Sequence, residues 1–239
     1  MHLSGKRVVL LGGTSGIGLA TAKAVSAEGA QAVVASSRQS SVDHAIQQLP
    51  NGAEGRAVNL SDPRETTAFL ASLGDFDHLV YTAGEPLALM PVKDLDVQDA
   101  ASFFQLRYFG VLSAVRAATP HLKPGGSITL TTGIAKDRPG PGWAVAASIC
   151  GAVEALTKAL AVELAPIRVN AVSPGVVRSP LWSGMSEQEQ EQMYREIGKT
   201  LPAGRVGEVE DIARAYLYLI TQPYSTGTVL TLDGGTILI

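Results

Sequence analysis

A doubly wound parallel α/β sheet in one domain is what this sequence predicts, and three observations carry the prediction. Short apolar runs alternate with helical segments along nearly the whole chain. The runs are apolar at almost every position, as in RVVLL at 7–11 and QAVVA at 31–35, which marks strands buried on both faces. A glycine-rich turn joins the first run to the first helical segment. Repeated strand–helix units of this kind form a parallel sheet with helices on both faces. Ligands of such sheets bind at the carboxyl ends of the strands, near the switch in strand order.

In chain order, a strand at 7–11 leads into a helix at 16–27 and a strand at 31–35 into a helix at 42–49. A strand at 56–60 leads into a helix at 63–73. Asp62-Pro63 starts that third helix well, because a carboxylate accepts from free first-turn amides and proline fits the first turn. A strand at 78–81 precedes a long helix at about 97–119. A strand at 128–131, a helix at 145–165 and a strand at 167–172 follow. An irregular segment then runs to about 207, before a helix at 208–221 and a strand at 228–232.

Bulk properties narrow the function classes. The 239 residues suit a single α/β domain spanning 1–239, and no repeat or Pro/Gly linker divides them. A charged content of 17% is low and points to much buried or oligomeric surface. A net charge of −3 favours neither nucleic acid nor an anionic membrane as a partner. The lone Cys150 excludes an internal disulfide and a thiolate metal cluster, and suits a reducing, cytoplasmic compartment. His2, His44, His78 and His121 lack ligand spacing, so no metal site is expected. The N-terminal apolar run at 8–11 is too short for a signal-peptide core or a membrane span.

Gly12, Gly13, Thr14, Ser15, Gly16, Ile17 and Gly18 follow the first strand and open the first helix. Glycines there let the backbone turn tightly and approach a pyrophosphate, whose charge meets the helix N-terminus. The strand–turn–helix context makes this a dinucleotide loop. At the end of the second strand, cofactors with a bare ribose 2′-OH usually meet an Asp or Glu. This chain offers Ser36, Ser37 and Arg38 instead. Two hydroxyls and a guanidinium bind a 2′-phosphate, whereas an acid repels one, so NADP(H) is favoured over NAD(H), the alternative being that Arg38 is a solvated loop charge.

Gly12-x3-Gly16-x-Gly18, Tyr81-Thr82-Ala83-Gly84, the run RVNAVSPG from Arg168 to Gly175 and the terminal Asp233-Gly234-Gly235 occur in order. Together they resemble the short-chain dehydrogenase/reductase family essentially end to end. The resemblance implies one Rossmann-like domain, a nicotinamide cofactor and a homo-oligomer, a tetramer or a dimer. It places Asn59 and Leu60 beside the adenine, and Ala83 and Gly84 along the cofactor. Pro174, Gly175, Val177 and Ser179 then face the nicotinamide, and residues 178–204 form a substrate lid; an acidic amphipathic surface helix is the alternative for 178–201. Tyr81-Thr82 stands where the family usually has two asparagines.

The family's hydride transfer normally uses a tyrosine, a lysine four residues later, a serine thirteen residues before the tyrosine, and an asparagine on the preceding long helix. Aligned on the stretch GAVEAL at 151–156, the lysine position is Cys150 and the tyrosine position is Ala146. The serine position is Gly133, and the asparagine position is Arg107. All four differ from the family pattern. Ala146 has no transferable proton, Gly133 has no hydroxyl and Cys150 is not an ammonium. Positioned acid–base catalysis typically contributes about 10²–10⁴-fold, so ordinary carbonyl reduction is weakened without all hydride transfer being forbidden.

Arg107 and Thr132 are the candidate replacements. A permanent cation at Arg107 suits a carboxylate or a polarised carbonyl, but equally suits binding backbone carbonyls or a subunit contact. Thr132 suits donation to a substrate or capping of a loop. Lys136, Asp137 and Arg138 are expected to be solvated, Trp143 to wall the pocket or fill core, and Cys150 to be a small buried residue rather than a nucleophile near the cofactor, since nothing in the sequence marks a nearby base.

The expected function is an NADP(H)-dependent oxidoreductase with a nonstandard active site and a small-molecule substrate or ligand, an anionic one suiting Arg107. The alternative is an NADP(H)-binding pseudoenzyme with a regulatory or assembly role. A third reading is a lyase or isomerase without redox chemistry; its dehalogenase-like version is disfavoured, because the dehalogenating relatives typically lose the dinucleotide loop and keep the serine and tyrosine. This chain does the reverse.

Overall fold

In a computed structural model, which describes residues 3–50 and 52–239, the apolar runs assemble into one seven-stranded parallel sheet. The strands are β1 (Arg7–Leu11), β2 (Gln31–Ser36), β3 (Glu54–Ala57), β4 (Phe76–Tyr81), β5 (Leu122–Thr131), β6 (Arg168–Pro174) and β9 (Val229–Leu232). Their spatial order is β3-β2-β1-β4-β5-β6-β9, and every neighbouring pair is parallel. The order reverses at β1, so a crevice opens between the carboxyl ends of β1 and β4. A separate pair, β7 (Val177–Arg178) and β8 (Gly207–Glu208), lies beyond β6.

Because successive strand side chains point to opposite faces, the two helical layers take alternate residues. Val9, Leu11, Leu79, Leu130 and Ala171 pack one face against α3 (Pro63–Leu73), α5 (Gly110–Ala118) and α6 (Ala144–Glu163). Val8, Leu10, Val34, Val80 and Val172 pack the other against α1 (Gly16–Ala27), α2 (Gln39–Gln47) and α8 (Val209–Thr221). Complete burial of one such Leu or Val stabilises the fold by about 1.5–3 kcal/mol. At 20 residues α6 is long and apolar enough to cross a membrane by length and composition. It buries Val145, Ile149, Val153 and Leu160 in the first layer, as the core helix of a sheet protein does.

Several bounds differ from the sequence reading. β3 occupies 54–57 rather than 56–60. It is a polar edge strand, and Val42 sits 2.5 Å from where a Cβ on Gly55 would be, so Gly55 lets it lie close on α2. The long helix expected at 97–119 is broken into α4 (Val97–Phe104), a π-turn at Gln105–Phe109 and α5. The segment expected to be irregular contains α7 (Glu187–Thr200), started by a reciprocal capping box between Ser186 and Glu189. Asp62 caps α3 as expected, accepting from the Arg64 amide at 2.7 Å.

The RVN part of the RVNAVSPG run serves the scaffold. Arg168 donates to the carbonyls of Leu219 and Ile220, both at 2.8 Å, and so satisfies the end of α8. Asn170 donates to Ser225 O at 2.8 Å and accepts from Thr228 N at 3.0 Å, fixing β9 beside β6.

Candidate active site

Close backbone approach explains the glycine spacing of the first turn. Gly12 has φ +90°, and a Cβ there would lie 2.5 Å from the Ala83 amide nitrogen. A Cβ on Gly18 would collide with Gly12 O and come within 2.5 Å of Thr82 Oγ1. Thr82 takes over bracing of this junction: its amide and its hydroxyl both donate to Leu11 O, at 2.8 and 3.3 Å. Ser15 occupies the N-cap of α1, yet its side chain makes no capping hydrogen bond and the first turn holds no acid. The first-turn amides are thus left for an anion, which is what a pyrophosphate requires.

Ser36 ends β2, and the exposed Ser37 and Arg38 follow it beside the same crevice, with no acid among them. Asn59 leaves β3 with its amide on the Glu65 carboxylate at 2.9 Å and its side chain accepting from Ser61 N at 3.1 Å. Leu60 is buried behind it. Ala83 and Gly84 leave β4, and Pro174 and Gly175 leave β6, with a Cβ on Gly175 only 2.7 Å from Asp233 Cα. Val177 is buried, and Ser179 precedes Pro180, whose Cδ lies 2.9 Å from the Cβ position of Gly16. All the predicted cofactor positions therefore gather at the carboxyl ends of β1, β2, β3, β4 and β6. The tight Gly12, Gly16 and Gly18 cradle fits a dinucleotide there.

A cavity of about 70 Å³ lies between the ends of β4 and β5, lined by Tyr81, Thr82, Ala83, Arg107, Thr131, Thr132, Ile149 and Cys150. A larger hollow of about 270 Å³ sits at the opposite end of the sheet, around Ser26, Gly29, Gln31 and Gly52, with no titratable side chain lining it. The smaller cavity is the chemically interesting one.

Arg107 enters that cavity from the π-turn. Its Nη2 donates to Glu85 O, its Nε lies 3.4 Å from Glu85 Oε2, and its guanidinium stacks over Phe103 at 4.6 Å. Its Nη1 would lie 2.7 Å from a Cβ on Gly84, so Gly84 leaves room for it. Burial lowers the Arg107 pKa, against the opposing pull of Glu85, and the group stays a cation. Nε and Glu85 Oε2 are both buried without a well-formed hydrogen bond.

Thr132, on the cavity wall, donates its hydroxyl to Cys150 O at 2.8 Å, so that proton is committed within the protein. Gly133 and Cys150 face each other: a Cβ on Gly133 would sit 3.3 Å from Cys150 Sγ. Burial pushes the Cys150 thiol up, despite the nearby Thr132 hydroxyl and Arg107. It therefore lacks the character of an activated nucleophile. Ala146 is buried one turn earlier on α6. Trp143 packs partly buried against the core.

Lys136 is not a solvated loop charge; it pairs with both Asp137 and Glu154 at 2.6 Å and ties the loop to α6. Among the described residues no cluster of His, Cys, Asp and Glu suits a metal ion, and His2 lies outside them.

Contacts unforeseen from sequence close the site. Glu85 is the internal counter-ion of Arg107. Leu87 N donates to Leu181 O at 2.9 Å, joining the loop after β4 to the segment before α7. Met90 N donates to Gly142 O at 2.9 Å, joining it to the loop before α6. No local pattern marks such pairs, since each needs two distant loops to converge.

The whole chain, residues 1–239, matches the family described as the SDR-like Rossmann domain. A curated relative, the short-chain dehydrogenase/reductase fsr5 of Gibberella fujikuroi, is 33% identical over 254 residues, covering 99% of this chain and 96% of its own. A small-chain dehydrogenase solved in complex with NADPH superposes with a TM-score of 0.86 at 36% identity, covering 98% of this chain and 99% of the other. The MalC reductase/Diels-Alderase of Malbranchea aurantiaca gives a TM-score of 0.92 at 31% identity, with 99% and 98% covered. A nicotinamide-binding Rossmann sheet and a strand-end site thus define an oxidoreductase class. Within it, this chain belongs to the short-chain dehydrogenase/reductase family.

Proposed function

We propose that this chain is an NADP(H)-dependent oxidoreductase whose active site transfers hydride without a tyrosine proton donor. The observation that carries the reading is the cavity itself. It is walled by Arg107, Thr132 and Cys150, with Gly133 against Cys150 and Ala146 one turn before it on α6. That mutual placement supports the alignment in which Arg107, Gly133, Ala146 and Cys150 stand for the family's asparagine, serine, tyrosine and lysine. When bound, the reduced nicotinamide supplies a hydride. The chain's own residues do the rest. The Gly12–Gly18 turn and the free amides of α1 hold the pyrophosphate, and Ser36, Ser37 and Arg38 select the 2′-phosphate. Ala83, Gly84, Pro174, Gly175, Val177 and Ser179 line the path of the nicotinamide half.

Arg107 presents fixed positive charge to an oxygen on which negative charge grows. The segment at 178–204, joined to the loop after β4 through Leu87 and Leu181, acts as a lid that excludes water. A suitable substrate is a small molecule with an anionic or strongly polarised acceptor group, whose reduced anion Arg107 stabilises until bulk water protonates it when the lid opens. The resemblance to an NADPH complex and to a reductase supports this chemistry. Membership of the family supports a homo-oligomer.

A substrate panel with NADPH and NADP tests the reading. Simple ketones and secondary alcohols should turn over far below the roughly 10 per second typical of enzymes. Polarised acceptors should be reduced measurably. No oxidation of NADPH with any acceptor, despite tight binding, would favour the second reading, a cofactor-binding pseudoenzyme with a regulatory or assembly role.

A further inference from the structure

The π-turn between α4 and α5 has a chemical consequence. In a regular α-helix the Gly110 amide would donate to Leu106 O. Here it donates to Gln105 O, one residue further back. The Leu106 carbonyl thereby loses its helical partner on the inner side of the helix. Tyr81 Oη donates to it at 2.7 Å from the last residue of β4. Tyr81 is 2% exposed, and Gly110 faces its hydroxyl: a Cβ on Gly110 would lie 2.5 Å from Tyr81 Oη. The phenol, the bare Gly110 and the released carbonyl fit one another. The next residue after Leu106 is Arg107, and Tyr81 and Arg107 line the same cavity. One extra residue in a turn rotates the flanking faces by about 100°, so the π-turn decides which side chain points at the site.

We propose that Tyr81 is a positioning residue: by holding the Leu106 carbonyl it fixes the π-turn that aims Arg107 into the cavity. The catalytic value of that aim rests on the function proposed above; the positioning itself does not. Glu85 and Phe103 then hold the guanidinium once it has arrived. Tyr81 is not the missing proton donor. Its proton is committed to Leu106 O, and burial raises its pKa, with Glu85 adding to the rise.

The test is a pair of crystal structures. Tyr81→Phe keeps the ring and removes the hydroxyl. The expected result is that Gly110 N returns to Leu106 O and the Arg107 guanidinium leaves the cavity. Replacement of Tyr81 by 4-aminophenylalanine keeps a donor at the same place and should restore the wild-type turn. An unchanged π-turn and unchanged Arg107 in Tyr81→Phe would overturn the proposal. Should Tyr81→Phe not fold, the 4-aminophenylalanine protein still decides. An amino group on Leu106 O with Arg107 in place supports the proposal, and Arg107 elsewhere overturns it. On a substrate found in the panel, Tyr81→Phe should lower kcat about a hundredfold with KM little changed, which a purely structural role would not do. If Arg107 moves as expected but wild-type turnover proves absent, the positioning stands and only the oxidoreductase reading falls.

Discussion

Acid should destabilise this fold through one histidine. His78 lies in the middle of β4, 5% exposed, with Nδ1 2.9 Å from Ser127 Oγ on the paired strand β5. Burial pushes its pKa down to about 4; the Asp77 carboxylate pulls upward, and Arg168 and Lys6 push further down. In the unfolded chain the group titrates near its ordinary value of about 6.5. Between these values the unfolded state binds the proton and the folded state does not. The contribution to stability is therefore complete above pH 6.5 and is lost as pH falls toward 4. A difference of about 2.5 pKa units corresponds to roughly 3 kcal/mol in all, of which about 2 kcal/mol should be gone by pH 5. Urea unfolding followed by circular dichroism from pH 7.5 to 5, at fixed protein concentration, measures it. The wild type should lose about 2 kcal/mol over that range, and His78→Gln should show a nearly flat curve. Superimposable pH slopes for the two proteins would refute the reasoning.

Other outcomes follow from the site and its scaffold. Gly18→Ala, whose Cβ collides with Gly12 O, should abolish NADPH binding by calorimetry and lower Tm, whereas Gly151→Ala, with open space around it, should do neither. The combined changes Arg107→Asn, Gly133→Ser, Ala146→Tyr and Cys150→Lys should raise any trace ketone reductase activity measured with NADPH. No rise in a folded variant would refute the alignment of these positions. Asn170→Ala leaves the Ser225 and Thr228 backbone groups beside β6 without their partner. It should cost about 1–3 kcal/mol in urea unfolding.

Strands were legible because burial on both faces writes itself as uninterrupted apolar runs, as at 7–11 and 31–35. The crevice is legible from Gly12, Gly16 and Gly18, whose spacing answers contacts that a side chain would block: Ala83 and Thr82 at Gly12, Gly12 O and Thr82 at Gly18, and Pro180 at Gly16. The π-turn at Gln105–Phe109 is not. An amphipathic stretch continues through it, and the cause is a tyrosine on a strand 25 residues earlier. Arg107 is marked in the sequence by its spacing from Gly110, but its partner Glu85 depends on how the loop after β4 returns. The acidic, amphipathic stretch at 178–201 is compatible with a surface helix as well as with a lid, and Ser186-x-x-Glu189 marks where α7 starts. Lys136 reads as solvated from sequence because its partner Glu154 lies 18 residues (154 − 136) further along the chain on α6, out of reach of local patterning.

The central claim is that this Rossmann crevice selects NADP(H) through Ser36, Ser37 and Arg38, and calorimetric titration of both reduced cofactors tests it most directly. NADPH should bind more tightly than NADH in the wild type, and Arg38→Asp should reverse the order, because a carboxylate suits a bare 2′-OH and repels a 2′-phosphate. Equal affinities for the two cofactors, or binding of neither, would contradict the account.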